Sequence, residues 1–335
     1  MIRVERLKRF ANGASAGIIN VMSKQNRNGT ASHSQPSLGM KLESRRAHSS
    51  LGNGKVFPRQ AASGAHLLHD KQSERDYREL GIDKVGVRGL RFPIQVLDKA
   101  RAVQNTIATI GMFVDLPKEF KGTHMSRFIE VLNAHGNMIH VENITEILYA
   151  LEAKFSAATS HLEIEFPYFL VKKAPVTGGK SLMDYVARFD AAACGREIDF
   201  VLTVKAMVTT LCPCSKAIAA YGAHNQRGEV TVQVRFRKPI WIEDLIAIIE
   251  SSASSELYAL LKREDEKAVT ERAYENPVFV EDLVRNVAVR LNAHPDVTWY
   301  KAEAENHESI HNHNAYACIE KNRARLERRG RKCLV

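Results

Sequence analysis

The sequence predicts an α+β fold: antiparallel sheet with helices layered on one face, its element order run through twice. Three observations carry this. Segments alternating apolar and polar residues come in adjacent pairs joined by short turns, as antiparallel strands do. Between the pairs lie segments whose apolar residues recur at helical spacing. The succession of two strands, two or three helices and two more strands then occurs again.

The first copy opens with residues 84–97 (KVGVRGLRFPIQVL) and 105–116 (NTIATIGMFVDL), which read as strands closed by Asp or Pro. Met125, Phe128, Ile129 and Leu132 follow at helical spacing, as do Ile144, Ile147, Leu148, Leu151 and Phe155. Strands return at 161–172 (HLEIEFPYFLVK) and 182–193. The second copy opens with strands at 197–211 (EIDFVLTVKAMVTTL) and 229–237 (EVTVQVRFR). Helices are expected at about 241–250, 254–262 and 277–292, the last with Val280, Leu283, Val284, Val287 and Leu291 as its apolar stripe. Strands at 297–304 and 314–320 close the pattern. The two copies share almost no residue identities, so only the order of elements repeats.

The chain of 335 residues carries 48 Lys+Arg against 38 Asp+Glu, a formal charge of +10. That excess is not spread evenly. Residues 1–70 hold 11 basic and 3 acidic residues, and 321–335 hold 7 and 1, so the tails carry +8 and +6 and the body −4. A basic nucleic-acid-binding core is disfavoured on that distribution. No uncharged apolar run approaches the roughly 18–20 residues that a membrane-spanning helix needs. Five scattered cysteines, Cys194, Cys212, Cys214, Cys318 and Cys333, do not make a secreted disulfide framework, which points to a reducing, cytoplasmic setting. Residues 1–72 read as a disordered basic extension too poor in apolar surface to fold. Residues 323–335 read as a solvated basic tail.

The densest chemical cluster is Leu211-Cys212-Pro213-Cys214-Ser215-Lys216 at a strand end, followed by Gly222-Ala223-His224-Asn225-Gln226-Arg227. A thiolate and an imidazole flanking one turn are a good ligand pair for zinc. The competing reading is two small apolar residues buried at a strand end. A second cluster, His307-Glu308-Ser309-Ile310-His311-Asn312-His313-Asn314, can supply ligands or a general acid near neutral pH, or is a polar turn. Glu264, Asp265 and Glu266 would end the 254–262 helix as a solvated charge run. Glu281 falls in the first turn of the next helix, where a carboxylate suits the helix dipole. Arg91, His124, Arg127, Lys216 and Arg227 are candidate anion contacts or solvated charge.

LRFPIQV (90–96), GTHMSRF (122–128), TLCPCSK (210–216), GAHNQRG (222–228) and ESIHNHNAYA (308–317) together resemble type IB GTP cyclohydrolase I. The resemblance spans about 73–322. It implies tandem tunnelling-fold modules, 73–195 and 196–322, the second carrying the metal site. It further implies a homotetramer with active sites at subunit interfaces. The implied reaction is hydrolysis of GTP to 7,8-dihydroneopterin triphosphate and formate, with one divalent metal per site (Zn²⁺, Mn²⁺ or Fe²⁺). Neither nucleic acid nor a membrane is implied as main partner.

By the same resemblance, Cys212, His224 and Glu266 match the metal ligands, and Cys212 and Cys214 the active-site cysteines. Glu281 matches the residue that anchors the guanine edge. Glu308 and His311 match residues lining the site, with His311 as proton donor. Because the body of the chain is net acidic, the polyanionic substrate so implied must be met by local cations such as Lys216 or Arg227. The family usually has Asp where this chain has Asn314. Two other readings stand beside this one. A tunnelling-fold enzyme can use cysteine as covalent nucleophile on a 7-deazaguanine nitrile. A zinc-stabilised protein can use basic tails on nucleic acid.

Overall fold

The computed structural model describes residues 70–136 and 141–323. Alternation sets the strands: β1 (Ile82–Asp98), β2 (Ala102–Leu116), β3 (Thr159–Lys173), β4 (Lys180–Cys194), β5 (Glu197–Leu211), β6 (Asn225–Phe236), β8 (Val297–Asn306) and β9 (Ala315–Asn322). They form one antiparallel sheet in the order β1-β2-β3-β4-β5-β6-β8-β9, with the two-residue β7 (Ser255–Glu256) paired to β5. The sheet does not break between the two copies. β4 turns into β5 through Gly195 at φ +60°, and Cys194 faces Glu197 in register. The expected boundary at 195/196 falls in this turn.

One face of the sheet is largely apolar. Ile110, Met112, Leu162, Ile164, Phe166, Val204, Val208, Val230, Val232, Val234, Tyr300 and Ala302 are buried there. Six helices occur among the described residues. α1 (Ser126–Ala134) and α2 (Val141–Phe155) bury Phe128, Leu132, Ile144, Ile147, Leu148 and Leu151. α4 (Ile242–Glu250) and α6 (Val280–Ala293) bury Leu245, Ile246, Ile249, Leu283, Val284, Val287 and Leu291. The short α3 (Pro213–Ile218) and the polar α5 (Arg263–Glu275) complete the set. Burying such a Leu or Ile contributes about 1.5–3 kcal/mol each. The α+β antiparallel fold with doubled element order is therefore present.

Three expectations change. Residues 254–262 are not a helix. Ser254 donates its N–H to the Thr209 carbonyl (3.1 Å), and its hydroxyl oxygen accepts from Leu211 N–H (3.0 Å), so this stretch lies along the end of β5. The helix begins at Arg263, so Glu264, Asp265 and Glu266 open α5 instead of ending a helix. Asp265 is buried and accepts from the Lys262 N–H, the Val176 and Thr177 N–H groups and the Thr177 hydroxyl. Burial alone would raise its pKa, but those four donors hold the carboxyl well below the usual carboxylate range.

The tails are also tied further in than expected. Asp70 caps a short 3₁₀ turn at Lys71–Ser73, and Gln72 donates to the Thr123 carbonyl (2.8 Å). Arg323, assigned to the solvated tail, donates to the carbonyls of Leu291, His294 and Val297 at 2.7–3.0 Å, closing the end of α6 against β8. The rest of the expected basic extension and tail lies outside the described residues.

Candidate active site

β5 ends at Leu211 opposite Asn225, the first residue of β6. Pro213 at the first turn of α3 takes the chain away from the sheet there, leaving Cys212 as the helix N-cap. Cys212 donates its N–H to the His224 carbonyl (3.1 Å). Its sulfur accepts from Ser215 N–H at 3.4 Å. Ser215 Oγ in turn accepts from His224 N–H at 3.1 Å. Thiol and imidazole are thus fixed to each other through their backbones.

The His224 ring is pinned from below. Its Nδ1 lies 2.9 Å from Gln226 Oε1, and Gln226 Nε2 donates to Thr210 Oγ1 at 3.0 Å. Thr210 and Gln226 are buried. Glu308, from the β8–β9 connection, places Oε2 at 3.9 Å from the same Nδ1, and only 11% of its side chain is exposed. The connection is drawn in by His307 N–H donating to the Arg227 carbonyl at 2.9 Å. One chain therefore places Glu308 beside His224, whose backbone is tied to that of Cys212, with Ser215, Gln226 and Thr210 behind them.

The other expected site residues sit around this centre with different degrees of closeness. Cys214 is exposed on α3. Lys216 donates to the Tyr274 carbonyl and lies 4.4 Å over the Tyr274 ring. Arg227 is exposed on β6, opposite Thr209. Glu281 is exposed in the first turn of α6, and α6 is tied to the end of β5 by Val278 N–H donating to the Leu211 carbonyl (3.0 Å). His311 is exposed, its ring stacked on that of His313 with centroids 5.2 Å apart.

Glu266 stands apart. It is exposed in the first turn of α5, whereas the last turn of that helix meets Lys216. The two turns are about 12 Å apart along the axis at 1.5 Å per residue. Among the described residues, no three His, Cys, Asp or Glu side chains converge as a metal-binding group. The donor types of Cys212 and His224 fit zinc, and a mixed N/O/S site accepts manganese or iron as well. Glu266 does not join Cys212 and His224 in such a group among the described residues.

Ser215, Gln226, Thr210 and Asn306 were not singled out by sequence. Asn306 is buried, its Oδ1 has no hydrogen-bond partner, and it packs on Gly228. For Gln226 a signal existed: it occupies a buried position of β6 in alternation with Gly228 and Val230, where an apolar residue is the norm.

The profile of the type I GTP cyclohydrolase folE2 family matches residues 68–317. A curated relative from Akkermansia muciniphila, GTP cyclohydrolase FolE2, is 60% identical over 257 residues, spanning 76% of this chain and 97% of the relative. One of the same name from Syntrophus aciditrophicus is 56% identical over 252 residues, spanning 75% and 99%. Among solved structures, uricase from Arthrobacter globiformis aligns at TM-score 0.44 with 11% identity, over 76% of this chain and 97% of that one, a distant likeness that carries no functional weight. On the profile match and the near-complete coverage of close relatives, this chain belongs to the type I GTP cyclohydrolase FolE2 family.

Proposed function

We propose that this protein hydrolyses GTP to 7,8-dihydroneopterin triphosphate and formate, the opening step of pterin and tetrahydrofolate synthesis. The observation that carries the reading is the closure of Cys212 on His224 beside Glu308, in a chain of this family. The relatives bear the cyclohydrolase name, so covalent attack by cysteine on a nitrile is not favoured.

Cys212 and His224 are the residues that would hold a divalent metal, Zn²⁺, Mn²⁺ or Fe²⁺. Such an ion makes water a better nucleophile near neutral pH. The remaining steps belong to side chains. Purine C8 is a poor electrophile until N7 is protonated, and His311 supplies that proton. Glu308 orients groups around His224. Glu281 accepts from N1–H and the 2-amino group of guanine, a bidentate match that only a carboxylate makes. Lys216 and Arg227 meet the triphosphate. The body of the chain is net acidic, so a polyanion is held by such local cations and not by overall charge.

The reading extends to assembly. β1 and β9 each pair on one side only among the described residues, and unpaired edges are where further strands add. Edge addition of this kind is the route by which copies would join into a homotetramer. Cys194, Cys212, Cys214 and Cys318 are free thiols, which suits a cytoplasmic enzyme. No helix among the described residues is long and apolar enough to cross a membrane.

The test is GTP turnover with added Mn²⁺ or Zn²⁺, read as pterin fluorescence after oxidation. Pterin formed by the wild type and not by Cys212→Ala supports the proposal. No pterin under any divalent metal sinks it.

A further inference from the structure

We infer that Gln226 is a positioning residue that fixes His224 as its Nδ1–H tautomer, leaving the Nε2 lone pair to face the metal. This rests on the reading of Cys212 and His224 as ligands.

The argument is one of donors and acceptors. The Gln226 amide has two ends. Its nitrogen donates to Thr210 Oγ1 at 3.0 Å, so its oxygen is the end that faces His224 Nδ1 at 2.9 Å. An amide oxygen only accepts. A neutral imidazole whose Nδ1 sits against an acceptor at that distance carries its hydrogen there, and its other nitrogen is then bare. The second group near Nδ1, Glu308 Oε2 at 3.9 Å, also favours a hydrogen on that nitrogen.

The backbone that carries the ring is held on both sides. Both backbone groups of His224 are bonded, N–H to Ser215 Oγ and carbonyl to Cys212 N–H, each at 3.1 Å. Thr210 is fully buried and Gln226 only 8% exposed, so water does not compete for the amide. Metal-bound histidines commonly donate their second N–H to a carboxylate or carbonyl oxygen. An amide does the same without adding charge. That distinction matters beside a thiolate and a triphosphate, where another carboxylate would repel the substrate.

The reversed arrangement is chemically complete and is the alternative to beat. With the amide turned over, the Thr210 hydroxyl donates to Oε1, the NH₂ faces Nδ1, and His224 must carry its hydrogen on Nε2. The lone pair is then spent inward and lost to the metal.

Magic-angle-spinning NMR on metal-free, ¹⁵N-histidine-labelled protein separates the two, with His224 assigned by difference from His224→Gln. The expected result, at a pH where imidazole is neutral, is a protonated Nδ1 and an unprotonated Nε2. Chelator competition with Zn²⁺ then reads the variants. Gln226→Leu is expected to weaken metal binding about 10–100-fold. Gln226→Glu keeps the acceptor, so it keeps the tautomer and binds Zn²⁺ within a few-fold of wild type, while its added charge raises KM for GTP.

A hydrogen on Nε2 in the wild type overturns the inference. So does a folded Gln226→Leu protein that binds Zn²⁺ as tightly as wild type. If Gln226→Leu does not fold, the wild-type tautomer and Gln226→Glu still decide. Absence of GTP turnover would strike the proposed reaction and leave the tautomer result standing, so the two failures are distinguishable.

Discussion

Cys212 and His224, twelve positions apart in sequence, are joined by a hydrogen bond from the Cys212 amide to the His224 carbonyl at 3.1 Å. It continues the β5–β6 ladder one residue past the Leu211–Asn225 pair. The sheet register itself therefore sets the distance between thiol and imidazole. The short helix and the turn at 219–223 that connect the two residues are thereby closed at the sheet end, the arrangement expected if the pair is to receive a metal without rearranging.

Ser215 ties that pair together, accepting from His224 N–H and donating to the Cys212 carbonyl at 3.3 Å. Ser215→Ala leaves the half-buried His224 N–H without its acceptor. The expected cost is about 1–2 kcal/mol in stability, with weaker metal binding. Thermal melts and chelator competition on the same protein check both.

Gly228 has no room for a side chain. A Cβ there would lie 2.6 Å from Asn306 Oδ1. Gly228→Ala is expected to cost about 1–3 kcal/mol by overpacking. Adding Asn306→Ala removes the clashing oxygen, so the double variant should regain part of the loss. A double-mutant cycle showing purely additive effects would contradict the contact.

Glu281→Gln keeps the shape of the proposed guanine anchor and removes its charge. Losing one charge-assisted hydrogen bond of a bidentate pair predicts a rise in KM of about 10–100-fold with a smaller change in kcat. Steady-state kinetics on GTP measure the split.

His161 is buried with Nδ1 unpartnered, and burial, with Lys84 nearby, pushes its pKa down to about 4 from the ordinary 6.5. The folded state refuses a proton that the unfolded chain accepts. Stability is therefore full above about pH 6.5 and falls as pH drops towards 4, by about 1–3 kcal/mol from this group after allowance for screening. His161→Gln should flatten that part of the stability profile in denaturant titrations.

The strands, the helix at Val280–Ala293 and the pairing of Cys212 with His224 were legible because each is written in local periodicity or spacing. α5 was not, because REDEKAVTERAYE buries only Asp265 and Ala273 and so shows no apolar stripe. The apolar residues of 254–262 suggested a helix, but Ser254 donates its N–H to the Thr209 carbonyl and its hydroxyl oxygen accepts from the Leu211 N–H, both on β5. That choice depends on a strand more than forty residues away, which no local window contains. For Gln226 the strand pattern marks a polar residue on the buried face, but only the fold shows its partners, Thr210 and His224, at its two ends. Arg323 looked like tail because charge at a chain end is usually solvated, yet three carbonyls around the end of α6 take its guanidinium.

The central claim is that Cys212 and His224 hold the metal of a GTP cyclohydrolase. The most direct measurement is metal content and GTP turnover on one preparation, for wild type and Cys212→Ala. The account predicts stoichiometric divalent metal and pterin formation in the wild type, with both lost in the variant. A Cys212→Ala protein that still binds its metal and still makes pterin from GTP would contradict it.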